Sequence, residues 1–221
     1  NIWEAAEPAL LEFKSSNYLS DYAELNGFRV KKGVAGIETA FTAEYGSGSP
    51  IIGIMGEFDA NLGISQKKQP TKDPLVKGTA GHGCGHNLFG TASLGAAIAI
   101  KEMIESGEIS GTVRFYGTPA EETIFGKVWM VREGLCDDLD ICMDWHPAEE
   151  IEASTQSSKA LVDFRLKFFG DAAHASGDPW NGNSAVDAME LYTTALNYYR
   201  EHIRPTARIH YDIEKAGDVV N

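Results

Sequence analysis

From Gly78 to Asn87 the chain reads Gly-Thr-Ala-Gly-His-Gly-Cys-Gly-His-Asn, which sets a thiol, Cys84, and an imidazole, His86, two positions apart among glycines. On a helix that spacing would turn them about 200° from each other, whereas an extended or turning backbone points both at one centre. Gly81, Gly83 and Gly85 suit such a backbone, because glycine enters positive φ at little steric cost. Taken alone, the run is a glycine-rich turn with a buried thiol. Further donors downstream change that reading: a glutamate pair, Glu121-Glu122, and an imidazole in Trp145-His146-Pro147. Thiolate, imidazole and carboxylate are the usual zinc donors, so Cys84, His86, Glu122 and His146 form a candidate ligand set. Mixed donors that leave open positions suit a catalytic centre, where the ion lowers the pKa of water to about 7. Adjacent side chains at a strand end point in different directions. One carboxylate of the pair then ligates while the other faces the substrate and takes the water's proton.

The elements that must position these residues follow from pattern. A helical region runs from about Ile2 to Leu25, broken near Pro8 and closed by Asn26-Gly27. Strands are expected at Phe28 to Lys32 and Thr39 to Tyr45, and the continuous apolar run Ile51 to Met55 predicts a strand covered on both faces. Asn87 is the expected N-cap of a helix to about Glu105, with Ala92, Ala96, Ala99 and Met103 as its small-residue packing face. A strand at Val113 to Tyr116, a helix at Lys127 to Glu133 and a strand at Leu139 to Asp144 complete an alternating order. That order reads as α/β with a parallel, doubly wound sheet. Glu57 and Asp59, Glu121 and Glu122, and His146 each follow the carboxyl end of a separate strand, and Cys84 and His86 precede a helix. In open α/β sheets those places share one edge, where ligands bind.

Past Ala153 the pattern changes. Residues 160–169 alternate apolar and polar, predicting a strand with one buried face. Ser184-Ala185-Val186-Asp187 opens a helix with the stripe Ala185, Met189, Tyr192, Leu196 and Tyr199, and a second alternating strand follows at Ile209 to Ile213. The expected division is 1–155 for a metal-binding domain and 156–221 for a smaller one.

Composition narrows the partners. With 19 basic and 32 acidic residues, the net charge of −13 disfavours nucleic acid and anionic membranes. The apolar run Leu94 to Ile100 is far short of the ~20 residues that span a bilayer. Three cysteines, Cys84, Cys136 and Cys142, are too few and odd in number for a disulfide scaffold and fit a reducing, cytoplasmic compartment.

The run Gly81 to Asn87, followed by Gly111-Thr-Val-Arg-Phe-Tyr-Gly117 and Pro119-Ala-Glu-Glu122, resembles the aminoacylase/carboxypeptidase family of co-catalytic metallopeptidases, in particular its amidohydrolase branch. Met130 to Gly134, Trp145-His146-Pro147 and Ala172-Ala173-His174-Ala175 extend the likeness from about Ile2 to Tyr211. The resemblance implies a three-layer α/β catalytic domain with a mixed, mostly parallel sheet, carrying a lid or dimerisation domain that is incomplete in this chain. It implies that Cys84, His86, Glu122 and His146 bind one or two Zn²⁺ or Mn²⁺ ions, with Glu121 as general base and acid and Asp59 orienting a ligand. It further implies that His174 reaches across a homodimer to the oxyanion of the partner's substrate, an N-acyl or N-aroyl amino acid or small peptide.

Two departures accompany it. The family's last ligand, a distant histidine, would lie beyond Asn221, and Lys215 to Asn221 is shortened against the family pattern, so a longer parent protein is expected. A competing expectation is a non-catalytic assembly subunit that keeps the fold and dimer surface. A serine hydrolase fits poorly, since no Gly-x-Ser-x-Gly elbow occurs.

Overall fold

The computed structural model describes residues 1–123, 125–153, 155, 157 and 159–217. The shortened stretch near Asn221 and part of the expected boundary at 154–159 lie outside the described residues. The chain divides into two compact units, Asn1–Ala153 and Ser154–Asn221.

The first unit is built on a five-stranded sheet. Its strands are β1 (Arg29–Lys32), β2 (Phe41–Ser47), β3 (Ile51–Glu57), β4 (Gly111–Thr118) and β5 (Ile141–Met143), in the spatial order β1-β2-β4-β3-β5. β3 runs parallel to both β4 and β5, while β2 is antiparallel to β1 and β4. Only β2 is therefore reversed, and the sheet is mixed rather than wholly parallel. The links into and out of β2 are too short for a helical crossover, which a parallel neighbour would need.

Alternation along the central strands feeds two cores. Ile54, Val113 and Phe115 face a cluster with Leu19, Ala23, Leu94 and Ala97, contributed by α2 (Phe13–Leu25) and α3 (His86–Glu105). Met55 and Tyr116 face the opposite way, toward Val34, Ile37 and Met130, the last from α4 (Gly126–Arg132). Helices on both faces make three layers. The first helical region is split more widely than Pro8 alone predicts. α1 covers only Ile2–Ala5, and Ala6 and Leu10 take left-handed backbone before α2 begins.

Two details of α3 correct the sequence reading. Its N-cap is Gly85, at φ +80, and not Asn87, which lies inside the first turn. Its buried face is Phe89, Gly90, Ser93, Leu94 and Ala97, whereas Ala92, Ala96, Ala99 and Met103 are exposed. Small residues recur on several stripes of this helix, and the stripe holding Phe89 and Leu94 removes more apolar area from water.

In the second unit α5 (Ala185–Tyr199) forms as expected, with Ser184 Oγ accepting from the Asp187 backbone N–H at 3.1 Å. Ala185, Met189, Tyr192 and Leu196 are half-buried on one stripe, but Tyr199 is exposed. The two strands expected around α5 are absent among the described residues, where a single bridge joins Asp171 to Asn183. An alternating segment becomes a strand only by pairing with an edge. Here Val162, Phe164 and Leu166 remain 83, 64 and 50% exposed, so most of the predicted buried face is uncovered among the described residues.

Candidate metal centre

The carboxyl ends of the parallel strands β3, β4 and β5 lie side by side, with Glu57 level with Thr118 in the β3–β4 register. β3 delivers Glu57 and then Asp59, two positions on. β4 passes through Pro119 and a left-handed Ala120, φ +58, into a 3₁₀ turn at Glu121–Thr123. β5 leads to Trp145 and His146, and Trp145 is fastened to α3 by its indole N–H on Ser93 Oγ at 3.0 Å.

The glycine run is shaped by close approach as much as by φ. Gly85 has positive φ, and a Cβ there would press on Pro147 at 2.8 Å. Gly81 and Gly83 do not lie in the left-handed region. They are glycine because a side chain would strike the Ile64 carbonyl and the Ile64 side chain, respectively. Paired backbone bonds of 3.0 Å between Asn61 and Gly81 hold this loop against the segment following β3. Cys84 is thereby turned toward the start of α3. His82 is buried, and its Nε2 donates to the Ile2 carbonyl at 3.0 Å, so it ties the N-terminal segment to the turn.

His86, wholly buried, is the hub. Its Nδ1–H donates to Asp59 Oδ1 at 3.0 Å, and Asp59 Oδ2 accepts the Glu122 backbone N–H at 2.9 Å. His146 donates its Nδ1–H to the Pro147 carbonyl at 3.0 Å. In its neutral form each ring therefore leaves its lone pair on Nε2, the tautomer a metal ligand needs. Cys84 Sγ lies 3.2 Å from His146 Nε2, and the donor atoms of Cys84, His86 and His146 fall within 4.8 Å of one another. A second group shares the hub. His86 Nε2 is 2.9 Å from Glu57 Oε2 and 3.8 Å from Glu121 Oε2, while Glu122 Oε1 is 3.9 Å from His86 Nδ1.

Charge and burial explain the titration. Burial disfavours a charged His86, but hydrogen bonding to Asp59 and the nearby Glu57 carboxylate outweigh it and push the pKa up to about 11. Glu57 is likewise opposed by burial, yet His86 and Lys127 hold it below its ordinary 4.5. Glu121 is raised, first by burial and then by the charge of Glu57. Burial also raises the Cys84 thiol. Three atoms here, His86 Nε2, Glu57 Oε2 and Glu122 Oε1, are buried without a hydrogen-bond partner. Although His86 Nε2 and Glu57 Oε2 are close, their alignment is not that of a hydrogen bond. Buried carboxylate oxygens without partners around one imidazole fit a divalent cation, which would take the place of the ring proton and neutralise the carboxylates.

Residues 56–216 match the sequence pattern of peptidase family M20/M25/M40. The chain belongs to this family. Among the family relatives, one of the subunits of the p-aminobenzoyl-glutamate hydrolase of Escherichia coli is 44% identical over 99% of this chain and 46% of its own length. The Xaa-Arg dipeptidase of Mus musculus is 30% identical over 98% of this chain and 49% of its own. The chain thus spans about half the length of these relatives. A dinuclear metal-binding M20 peptidase from Bacillus subtilis, YXEP, shares the fold with a TM-score of 0.54 at 24% identity, over 65% of this chain and 40% of that one.

In this cluster Cys84, His86 and His146 converge, Glu121 and Glu122 lie beside them, and Asp59 braces His86. His174 lies in the second unit, in a turn where its Nδ1 accepts the Ser176 and Gly177 backbone N–H groups at 3.2 and 3.0 Å. Sequence reasoning places Glu57 at the ligand-binding edge without giving it a role, and it does not single out Lys127. Lys127, on the first turn of α4, pairs with Glu57 and lies 3.8 Å from Asp144. A signal for Glu57 exists: in Glu57-Phe58-Asp59 the two acids are two apart at a strand end, and alternate residues face the same way.

Proposed function

We propose that this chain carries the metal-binding part of a hydrolase that cleaves the amide bond of an N-acyl or N-aroyl amino acid or a small peptide. The observation that carries the reading is the convergence of Cys84, His86 and His146 beside a carboxylate pair at the carboxyl edge of the sheet. Cys84, His86, Glu122 and His146 would hold one or two Zn²⁺ or Mn²⁺ ions. The description of the Bacillus fold relative as a dinuclear metal-binding peptidase supports this, as do the hydrolase and dipeptidase names of the other two. A bound ion supplies Lewis acidity toward the scissile carbonyl and toward water.

The remaining chemistry falls to the chain's own side chains. Glu121 is 40% exposed at its side chain, more open than Glu122, and is the group of the pair that reaches toward substrate. It takes the proton of the attacking water and returns it to the leaving amine. Glu122 is anchored through its backbone N–H on Asp59, which suits a ligand. Because His174 Nδ1 is an acceptor, its proton sits on Nε2, which is then available to donate to an oxyanion. We assign that contact to the active site of a second protomer, in a homodimer formed through the second unit or in a complex with a different chain. The Escherichia coli relative is named as one of the subunits of its hydrolase, which supports an assembly of that kind.

Hydrolysis of a panel of N-acyl and N-aroyl amino acids, with metal content measured alongside, tests the proposal. Glu121→Gln is expected to keep its metal and lose ~10²–10⁴ in rate, the size of a general-base contribution. Unchanged turnover would remove Glu121 from the mechanism, and a protein that binds no divalent ion would overturn the whole reading.

A further inference from the structure

Glu57 is 2% exposed, and its two carboxylate oxygens have different surroundings. Oε1 is held by the Lys127 ammonium. Oε2 has no hydrogen-bond partner and lies 2.9 Å from His86 Nε2, which has none either. The Nδ1–H of His86 is committed to Asp59, so Nε2 is the ring atom left to face Glu57 Oε2. A buried carboxylate oxygen against a buried ring nitrogen needs a cation between them, which is a proton on the ring or a metal ion in its place.

Zn–N and Zn–O bonds of about 2.0–2.2 Å place two ligands of one ion roughly 2.8–3.6 Å apart across its octahedral or tetrahedral angles. The 2.9 Å between Glu57 Oε2 and His86 Nε2 sits at the lower edge of that range, whereas Glu121 Oε2, at 3.8 Å from the same nitrogen, lies outside it. We propose that Glu57 is a metal ligand of this site, its Oε2 sharing an ion with His86 Nε2 while its Oε1 stays paired with Lys127. The inference rests on the metal-centre reading above and adds a donor to it. Glu121 is left free for proton transfer. A hard oxygen on the β3 side opposes the sulfur and imidazole of Cys84 and His146, which makes the centre hospitable to an oxygen-seeking ion such as Mn²⁺ as well as to Zn²⁺.

The test is equilibrium binding of Mn²⁺, followed by the spin resonance of the free ion, and of Zn²⁺, followed by competition with a chelator. It compares the unaltered protein with Glu57→Gln, Lys127→Met and Cys84→Ser. Glu57→Gln is expected to weaken binding at least tenfold, more for Mn²⁺ than for Zn²⁺, and Cys84→Ser to weaken Zn²⁺ more. Lys127→Met breaks the same ion pair from its exposed side and is expected to retain or strengthen binding, because it removes a competing cation. If Glu57 served only as an ion-pair partner, both changes to the pair would act alike and leave affinity at the unaltered value, which overturns the proposal while the metal centre stands. If the unaltered protein binds neither ion, the metal-centre reading itself fails. Should Glu57→Gln not fold, Glu57→Asp keeps the charge but withdraws the oxygen by one methylene, and it is held to the same tenfold criterion.

Discussion

Replacing Glu12 by alanine tests how the turn carrying Glu121 is held. Glu12 is wholly buried; its Oε1 accepts the backbone N–H of Leu10 and of Ala120, each at 2.9 Å, and its Oε2 accepts the Thr39 hydroxyl at 2.9 Å. Ala120 is the left-handed residue immediately before the glutamate pair. In Glu12→Ala the Ala120 N–H and the Thr39 hydroxyl lose their partners in a buried place, at about 1–3 kcal/mol each. The Leu10 N–H is near enough to solvent to find water. The expected loss is about 2–6 kcal/mol, which lowers a urea midpoint by about 1–3 M for a slope near 2 kcal/mol/M. Glu12→Gln keeps a carbonyl for both N–H groups and offers its amide to Thr39, so its loss should be small. Acidity adds a second readout. Burial costs the charged carboxylate more than these hydrogen bonds return, so the folded pKa lies above 4.5. The folded state therefore holds this proton more tightly than the unfolded chain. The associated stability is fully present below about pH 4.5 and is lost as pH rises through the higher folded value. Relative to Glu12→Gln, the unaltered protein should lose stability over that interval. An unchanged midpoint in Glu12→Ala, or equal damage from glutamine and alanine, would refute the reasoning.

Asp59→Asn should weaken Zn²⁺ binding about 10–100-fold, measured by chelator competition, because an amide cannot accept from both His86 Nδ1–H and the Glu122 N–H through its two ends. Gly90→Ala would set a Cβ 2.6 Å from the Glu57 carbonyl oxygen, so α3 must shift away from β3. A loss of about 1–3 kcal/mol in urea unfolding is expected, with weaker metal binding because His86 lies one turn away on the same helix. Gly95→Ala, on the same helix with nothing within 4 Å of the new carbon, is the control and should be neutral or stabilising by up to about 1 kcal/mol.

The residues proposed as donors stand out in the sequence because their chemistry is carried by residue type. No other side chains do what Cys84, His86, Glu121, Glu122 and His146 offer in combination, and the strand ends that present them are marked by apolar runs stopping at polar residues. The same runs located all five strands of the first unit to within a few residues. The reversal of β2 was not legible, because strand direction is set by which edge is free when the chain returns, and an apolar run reads the same in either direction. Nor was the true buried stripe of α3, since the pattern allows several and contact with β3 selects one. Residues 160–169 have the alternation of a strand but find no edge to pair with. Glu57 shows the division most clearly. Sequence placed it at a strand end beside Asp59, but only folding brought its carboxylate against His86 Nε2 with Lys127 behind it. Residue type fixes what a side chain can donate or accept; which partner it meets, and whether water is excluded there, depends on segments distant along the chain.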